Sequence, residues 1–186
     1  MVLLTRIYTK GGDKGKTSLG TGERVLKSSP RIAAIGDVDE ANASIGVSRI
    51  HATGEIDKLL FHIQNDLFDV GADLCAPEHK SREERLRLHP HQVVFLEEKI
   101  DYYNASLPPL HSFILPGGST LSAALHQARA VVRRAERAVC FLKESEPVNT
   151  VIIHYLNRLS DVLFVLSRYD NHQNAGDILW IPGANR

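Results

Sequence analysis

Residues 55–75 read EIDKLLFHIQNDLFDVGADLC. The apolar residues Ile56, Leu59, Leu60, Ile63, Leu67, Val70 and Leu74 recur at steps of three and four. That spacing lines one side of an α-helix, whereas a half-buried strand repeats every second residue. The stretch predicts an amphipathic helix with an apolar stripe that other elements must cover.

Four further segments have the same period. Ser29-Pro30 reads as N-cap and first helical residue, with Ile35, Val38, Asn42 and Ile45 following at helical spacing. A third helix begins near Pro90 and ends about Ser106, before Pro108-Pro109. The fourth spans Thr120 to Lys143, with Ser119 as N-cap and a stripe of Leu121, Ala124, Leu125, Ala128, Val131, Ala135 and Val139. The fifth spans Val148 to Asn171 and carries Val151, Ile152, Tyr155, Leu159, Val162, Leu163 and Leu166. Five helices with short connections predict an all-α, up-and-down five-helix bundle in one domain. The bundle covers 29–171, between a glycine-rich segment at 1–28 and a tail at 172–186. The charged run EHKSREERLRLHP after Pro77 reads as an exposed linker.

The chain has 186 residues, and Lys+Arg and Asp+Glu both number 22, so an overall basic footprint for nucleic acid is missing. No apolar run is long enough to span a bilayer. The apolar stretch in MVLLTRIYTK is too short for a secretory signal. Cys75 and Cys140 stand far apart with no CxxC pattern and read as small buried hydrophobes in a reducing compartment. The expectation is a cytoplasmic protein.

The first chemically pointed stretch is YTKGGDKGKTSLGTGERV, residues 8–25. Gly15-Lys16-Thr17 looks like the end of a P-loop, but that motif needs a glycine where Lys10 stands. Ser18-Leu19-Gly20-Thr21-Gly22 is also too glycine-rich to begin the helix a P-loop requires. The segment suits either a polyphosphate or a solvated turn. The second such feature is QARAVVRRAERAV on the fourth helix, where Arg129, Arg133 and Arg137 recur at i+4 beside Glu136. Guanidinium groups stacked on one face repel unless anions or carboxylates meet them. On the fifth helix Asn157 and Asp161 share a polar face, and Asp37, Asp39 and Glu40 cluster on the first. By spacing alone the last three are charges complementing a helix dipole.

Five segments now stand in order: YTKGGDKGKTSLGTGERVLK, GDVDEANASIG, FILPGGS, RAVVRRAERAV and YLNRLSDVLFVLSRY. Together they resemble the PduO-type ATP:cob(I)alamin adenosyltransferases, the family that makes adenosylcobalamin. The resemblance runs from about residue 7 to residue 169. It implies a homotrimer of five-helix bundles with active sites between subunits. It assigns Thr9, Lys10, Gly11, Gly12, Thr17, Ser18 and Lys27 to ATP from one subunit. Arg133, Arg134, Glu136, Arg137 and Asn157 complete that site from the neighbour. Arg129 is implied to pair across the interface with Asp39. Phe113 matches the family's aromatic at the lower axial face of the corrin.

The implied reaction transfers the 5′-deoxyadenosyl group of ATP to cob(I)alamin and releases triphosphate, with Mg²⁺ carried mainly by the phosphates. Arg133, Phe113 and Glu136 are the expected catalytic residues. A reductase and an acceptor enzyme dependent on adenosylcobalamin are the further partners the resemblance suggests. Three rival readings were weighed. A phosphotransferase is disfavoured by the P-loop mismatch. A ferritin-like di-metal bundle needs Glu-x-x-His pairs, which are missing. A non-catalytic cobalamin carrier does not explain the ATP segments. The nine histidines show no i, i+4 pair and read as surface or capping residues. The tail GDILWIPGANR reads as either docking on the bundle or closing over the corrin.

Overall fold

The computed structural model describes residues 7–77, 85–174 and 176–186. Five helices account for most of them: α1 (Pro30–Arg49), α2 (Gly54–Leu74), α3 (Pro90–Asn104), α4 (Thr120–Lys143) and α5 (Thr150–Gln173). Helix α4 packs against both α1 and α5, with α2 on the far side of α1 and α3 on the far side of α5. This is the helical bundle that the periodicity predicts. Leu60, Ile63 and Val70 of α2 are fully buried, as are Leu125, Ala128 and Ala135 of α4 and Tyr155, Leu159 and Leu163 of α5. Each large apolar side chain so buried contributes about 1.5–3 kcal/mol.

Ser119 caps α4 through its side chain as expected, whereas Ser29 stands at the N-cap of α1 without a side-chain hydrogen bond. Ser119 Oγ accepts from Ser122 N at 2.9 Å, and Pro30 occupies the first turn of α1 after Ser29. On α4 the stripe runs through Val132, which is fully buried, in place of the expected Val131, which is half-buried. Asp37, Asp39 and Glu40 lie in the middle of α1, outside its first turn, so they do not serve as dipole partners.

Three local departures from the sequence reading matter for the site. The glycine-rich segment forms a hairpin, β1 (Lys16–Ser18) against antiparallel β2 (Arg24–Leu26), with Thr17 opposite Val25. Gly20 N donates to Cys75 O at 2.9 Å and to Cys75 Sγ at 3.1 Å, fastening the hairpin to the end of α2. Neither cysteine is a buried hydrophobe: Cys75 is half-buried in that contact and Cys140 is exposed. The expected linker falls partly on 78–84, outside the described residues. Its end is exposed only in part: Leu86, His89 and Pro90 are exposed, but Leu88 is buried and Arg87 Nη1 donates to buried Asp73 Oδ1 at 2.6 Å.

Buried polar groups tie the helices together. Asp66 of α2 accepts from Gln92 Nε2 of α3 at 2.8 Å and from Tyr155 Oη of α5 at 2.9 Å. Burial and the neighbouring Asp66 carboxylate hold the Tyr155 hydroxyl protonated, with its pKa well above the ordinary value. Arg31 of α1 donates to Glu146 Oε2, Leu74 O and Pro147 O. Among the described residues no helix is long and apolar enough to cross a membrane.

Candidate active site

The site residues fall into three groups: the hairpin, the outer face of α4, and a cavity beside α4 and α5. In the hairpin segment Lys10 adopts a left-handed backbone with φ 59°. That conformation is uncommon for a residue with a Cβ and accompanies tight, functional turns. Arg24 Nη2 donates to Gly11 O at 2.7 Å, and Arg24 Nη1 to Ser18 Oγ at 3.4 Å. A Cβ on Gly12 would lie 3.0 Å from Lys27 Nζ, so the glycine lets this ammonium fold over the loop. Thr9, Lys10 and Gly11 are exposed, whereas Gly12 and Thr17 are half-buried. The product is an exposed loop of lysines and backbone N–H groups, a surface chemically suited to an anion.

On α4, Arg133 and Arg137 are exposed, and Arg137 Nη1 donates to the Arg133 carbonyl at 3.1 Å. Arg133 uses no side-chain partner among the described residues, so its guanidinium is available to a ligand. Arg134 differs: it pairs with Glu40 and, at 3.5 Å, with Asp37, both on α1 of the same chain. Glu136 Oε1 accepts from Asn157 Nδ2 at 3.0 Å, and Asn157 Oδ1 accepts from Arg158 Nη1 at 2.7 Å. Glu97 in turn accepts from Arg158 Nε at 2.8 Å. This chain fixes the Asn157 amide and the Glu136 carboxylate beside the arginine face. Asp161 is exposed and makes no such contact among the described residues. Asp39 is exposed and likewise unpaired within the chain.

No hydrogen bond or ion pair joins the hairpin to Arg133, Glu136, Arg137 or Asn157 among the described residues. The hairpin and the arginine face are thus two anion-suited surfaces with no direct polar contact between them among the described residues.

The cavity has a volume of about 720 Å³ and is walled by residues including Phe113, His126, Arg129, Phe164 and Trp180. Phe113 is 77% exposed, a costly placement for an aromatic ring unless something covers it. Its strand is held by the C-terminal tail, through an antiparallel bridge between Ile114 and Leu179. Trp180 N donates to Phe113 O at 2.8 Å, and Leu115 N to Ile178 O at 2.8 Å. The Trp180 ring meets Phe113 edge-on at 6.0 Å. The tail thus docks on the segment that carries Phe113. Gly118, two residues before α4, has φ +103°, and a Cβ there would sit 2.1 Å from Asn171 Oδ1. Asn171 occupies that space to accept from Ser119 N and donate to Gly117 O, which fixes the base of the same segment.

His126 is the residue the sequence reading misplaces. It is 3% exposed, so it is neither a surface nor a capping histidine. Its position one turn before Arg129, on the flank of the α4 stripe, is the signal that helical phase offered. His89, by contrast, does cap α3, its backbone N–H donating to Gln92 Oε1 at 2.9 Å. Among the described residues no group of three or more His, Cys, Asp or Glu side chains is arranged to hold a metal ion.

The comparisons with known proteins decide the family. The family model for cobalamin adenosyltransferase matches residues 7–170. The chain belongs to the cobalamin adenosyltransferase family. A corrinoid adenosyltransferase of Mycobacterium tuberculosis is 50% identical over 190 residues, covering 100% of this chain and 97% of that protein. A cobalamin adenosyltransferase of Cupriavidus metallidurans is 47% identical over 95% of both chains. Among solved structures, a phenylalanine-to-histidine variant of a PduO-type ATP:corrinoid adenosyltransferase from Lactobacillus reuteri, complexed with cobalamin and ATP, superposes with a TM-score of 0.91. It is 39% identical and covers 95% of this chain and 97% of that one. An arginine-to-lysine variant of the same enzyme, complexed with ATP, gives 0.89 at 39% identity, covering 95% of this chain and 100% of that one. The five ordered motifs and the helical bundle are therefore family features.

Proposed function

We propose that this chain transfers the 5′-deoxyadenosyl group of ATP to the cobalt of cob(I)alamin, giving adenosylcobalamin and inorganic triphosphate. The observation that carries this reading is the family match over residues 7–170, joined to full-length relatives named for that activity. The cobalt(I) electron pair attacks C5′ of ATP, a Co–C bond forms, and the C5′–O bond breaks with its electrons leaving on triphosphate.

The leaving group is highly charged, so catalysis calls for cations already in place where that charge develops. Lys10, Lys27, Arg133 and Arg137 supply them, with Mg²⁺ held mainly through the phosphates. Thr9, Gly11, Gly12, Thr17 and Ser18 wrap the nucleotide. Arg134 supports the same site from the rim, anchored to α1. Glu136 and Asn157, already bonded to each other, position the arginine face and meet the nucleoside. The hairpin and the arginine face come from adjacent subunits of a homotrimer, a reading supported by the family resemblance and by the lack of any hydrogen bond or ion pair between them among the described residues. Arg129 and Asp39, neither of which has a hydrogen-bond or ion-pair partner among the described residues, pair across that interface. The 720 Å³ cavity receives the corrin, and Phe113 forms an apolar wall at its lower face. Excluding an axial ligand there leaves cobalt four-coordinate and eases reduction of cob(II)alamin, with the electron supplied by a reductase.

Anaerobic mixing of the protein with ATP, Mg²⁺ and chemically reduced cobalamin tests the reading. A light-sensitive Co–C bond appears together with one triphosphate per cobalamin. An unchanged corrin spectrum with folded protein would overturn it.

A further inference from the structure

Four buried side-chain atoms around the cavity have no hydrogen-bond partner among the described residues: His126 Nδ1 and Nε2, Arg129 Nε and Asp177 Oδ1. The other orphans, on Thr21, Ser29 and Asn42, are single oxygens on separate elements. A buried polar atom left unpaired is destabilising, so four at one site are not explained by ordinary packing.

Their chemistry is complementary. A neutral imidazole has one N–H donor and one bare acceptor nitrogen. Arg129 Nε–H is a donor only, and Asp177 Oδ1 is an acceptor only. His126 is held neutral: its pKa is lowered by burial first and by the Arg129 charge second, with the Asp177 charge opposing. Arg129 follows His126 by one turn of α4 and both line the cavity, while the tail that carries Asp177 is held there by the Ile114–Leu179 bridge and lines the cavity with Trp180. Asp177 is itself anchored, its other oxygen accepting from Arg168 Nε at 3.0 Å while Arg168 Nη2 donates to Pro108 O at 2.8 Å.

We infer that His126 is a positioning residue that closes a relay, Arg129 Nε–H to His126 to Asp177 Oδ1, when the cavity is filled. Two hydrogen bonds satisfy all four orphan atoms with none left over. The relay ties the tail, which holds the Phe113 strand, to the Arg129 guanidinium on α4. It couples the wall of the corrin cavity to the residue proposed to reach the neighbouring subunit. The inference rests on the reading that the cavity takes the corrin.

The relay has a sign. Protonated His126 has two donors and no acceptor, so it loses Arg129 and the relay breaks as pH falls. The charged and titratable groups facing it are Arg129 on its own helix, Asp177 on the tail with Arg168 of α5 behind it, and His111 across the cavity.

The test compares His126→Gln, which keeps a donor and an acceptor, with His126→Phe, which keeps neither. The dissociation constant of cob(II)alamin is read from its spectrum in the presence of Mg-ATP. For His126→Phe it rises about tenfold, while His126→Gln stays within about twofold of the parent. The parent's affinity weakens only on the acid side of histidine's ordinary pKa of about 6.5, because burial and the Arg129 charge lower that of His126. His126→Gln loses that acid-side dependence, and whatever remains belongs to His111 and other groups. Nitrogen-15 shifts of His126, assigned by their loss in His126→Gln, show a single neutral tautomer on adding corrinoid. Equal losses in the two variants, no loss in folded His126→Phe, or a mixture of tautomers in the bound state would overturn the relay. Failure of the parent to bind any corrinoid would instead overturn the reading of the cavity.

Discussion

Two buried polar clusters in this bundle are each built on an aspartate and end in opposite states. Around Asp66 the carboxylate meets Gln92 and Tyr155, one from each of two other helices, at 2.8 and 2.9 Å. Beside the cavity, Asp177 meets only Arg168, and His126 meets nothing polar among the described residues. The first cluster is complete within the chain and holds α2, α3 and α5 in register. The second is incomplete within the chain, as is the exposed arginine face beside it. Where a fold leaves polar atoms unpaired at a concave surface, the missing partners are a ligand or another subunit. Completeness thus separates scaffold from site, and variants on the two sides should fail in different observables.

The largest expected effect is on the incomplete side. Arg133→Ala removes a guanidinium with no side-chain partner among the described residues, so the protein folds and melts like the parent. Turnover drops about 10²–10³-fold, as when one charge-stabilising donor is taken from a transition state. Near-parental turnover in single-turnover assays would remove Arg133 from the triphosphate. Phe113→Ala comes next and acts on one route only. Reaction from cob(II)alamin falls on the order of 10²-fold, the scale of a misplaced reacting group, while pre-reduced cob(I)alamin reacts as before. Equal losses on both routes would show that Phe113 positions the corrin without controlling cobalt coordination.

On the complete side the loss is in stability. Tyr155→Phe strips one donor from a buried carboxylate and costs about 1–3 kcal/mol, read as a lower urea midpoint. Turnover per folded enzyme stays unchanged. A variant that kept its midpoint and lost activity would move the Asp66 cluster from scaffold to site.

The contrast also explains how much the sequence disclosed. The helices were legible because a 3.6-residue period survives in any helix that buries one face, as α2 does from Leu59 to Leu74. The ordered motifs pointed to the family, since Lys10, Gly12, Arg133 and Phe113 stand in recognisable local strings. What stayed hidden depends on contacts between distant residues. Nothing near His126 announces Asp177, which is 51 positions away and arrives only because the tail pairs with Ile114. The hairpin was hidden as well, because its six paired residues carry no alternating apolar pattern and its docking depends on Cys75. Arg134 was grouped with its neighbours for lack of any sequence sign that Glu40 and Asp37 already hold it.

Arg134 therefore gives the smallest effect and the finest test of the contrast. It lies on the arginine face yet has partners in its own chain, so it sits between the two classes. Its ion pairs are exposed to solvent, where screening and side-chain entropy cancel most of the Coulomb gain. Arg134→Gln should leave the melting temperature unchanged within error. If Arg134 supports the nucleotide from the rim, the variant raises KM for ATP less than tenfold and spares kcat. If completeness is the right criterion, Arg133→Ala must exceed it by at least one order of magnitude, although the two residues are adjacent. Equal losses would mean that the α1 carboxylates release Arg134 when ATP binds. Pairing within the free chain would then no longer identify which cations face the phosphates.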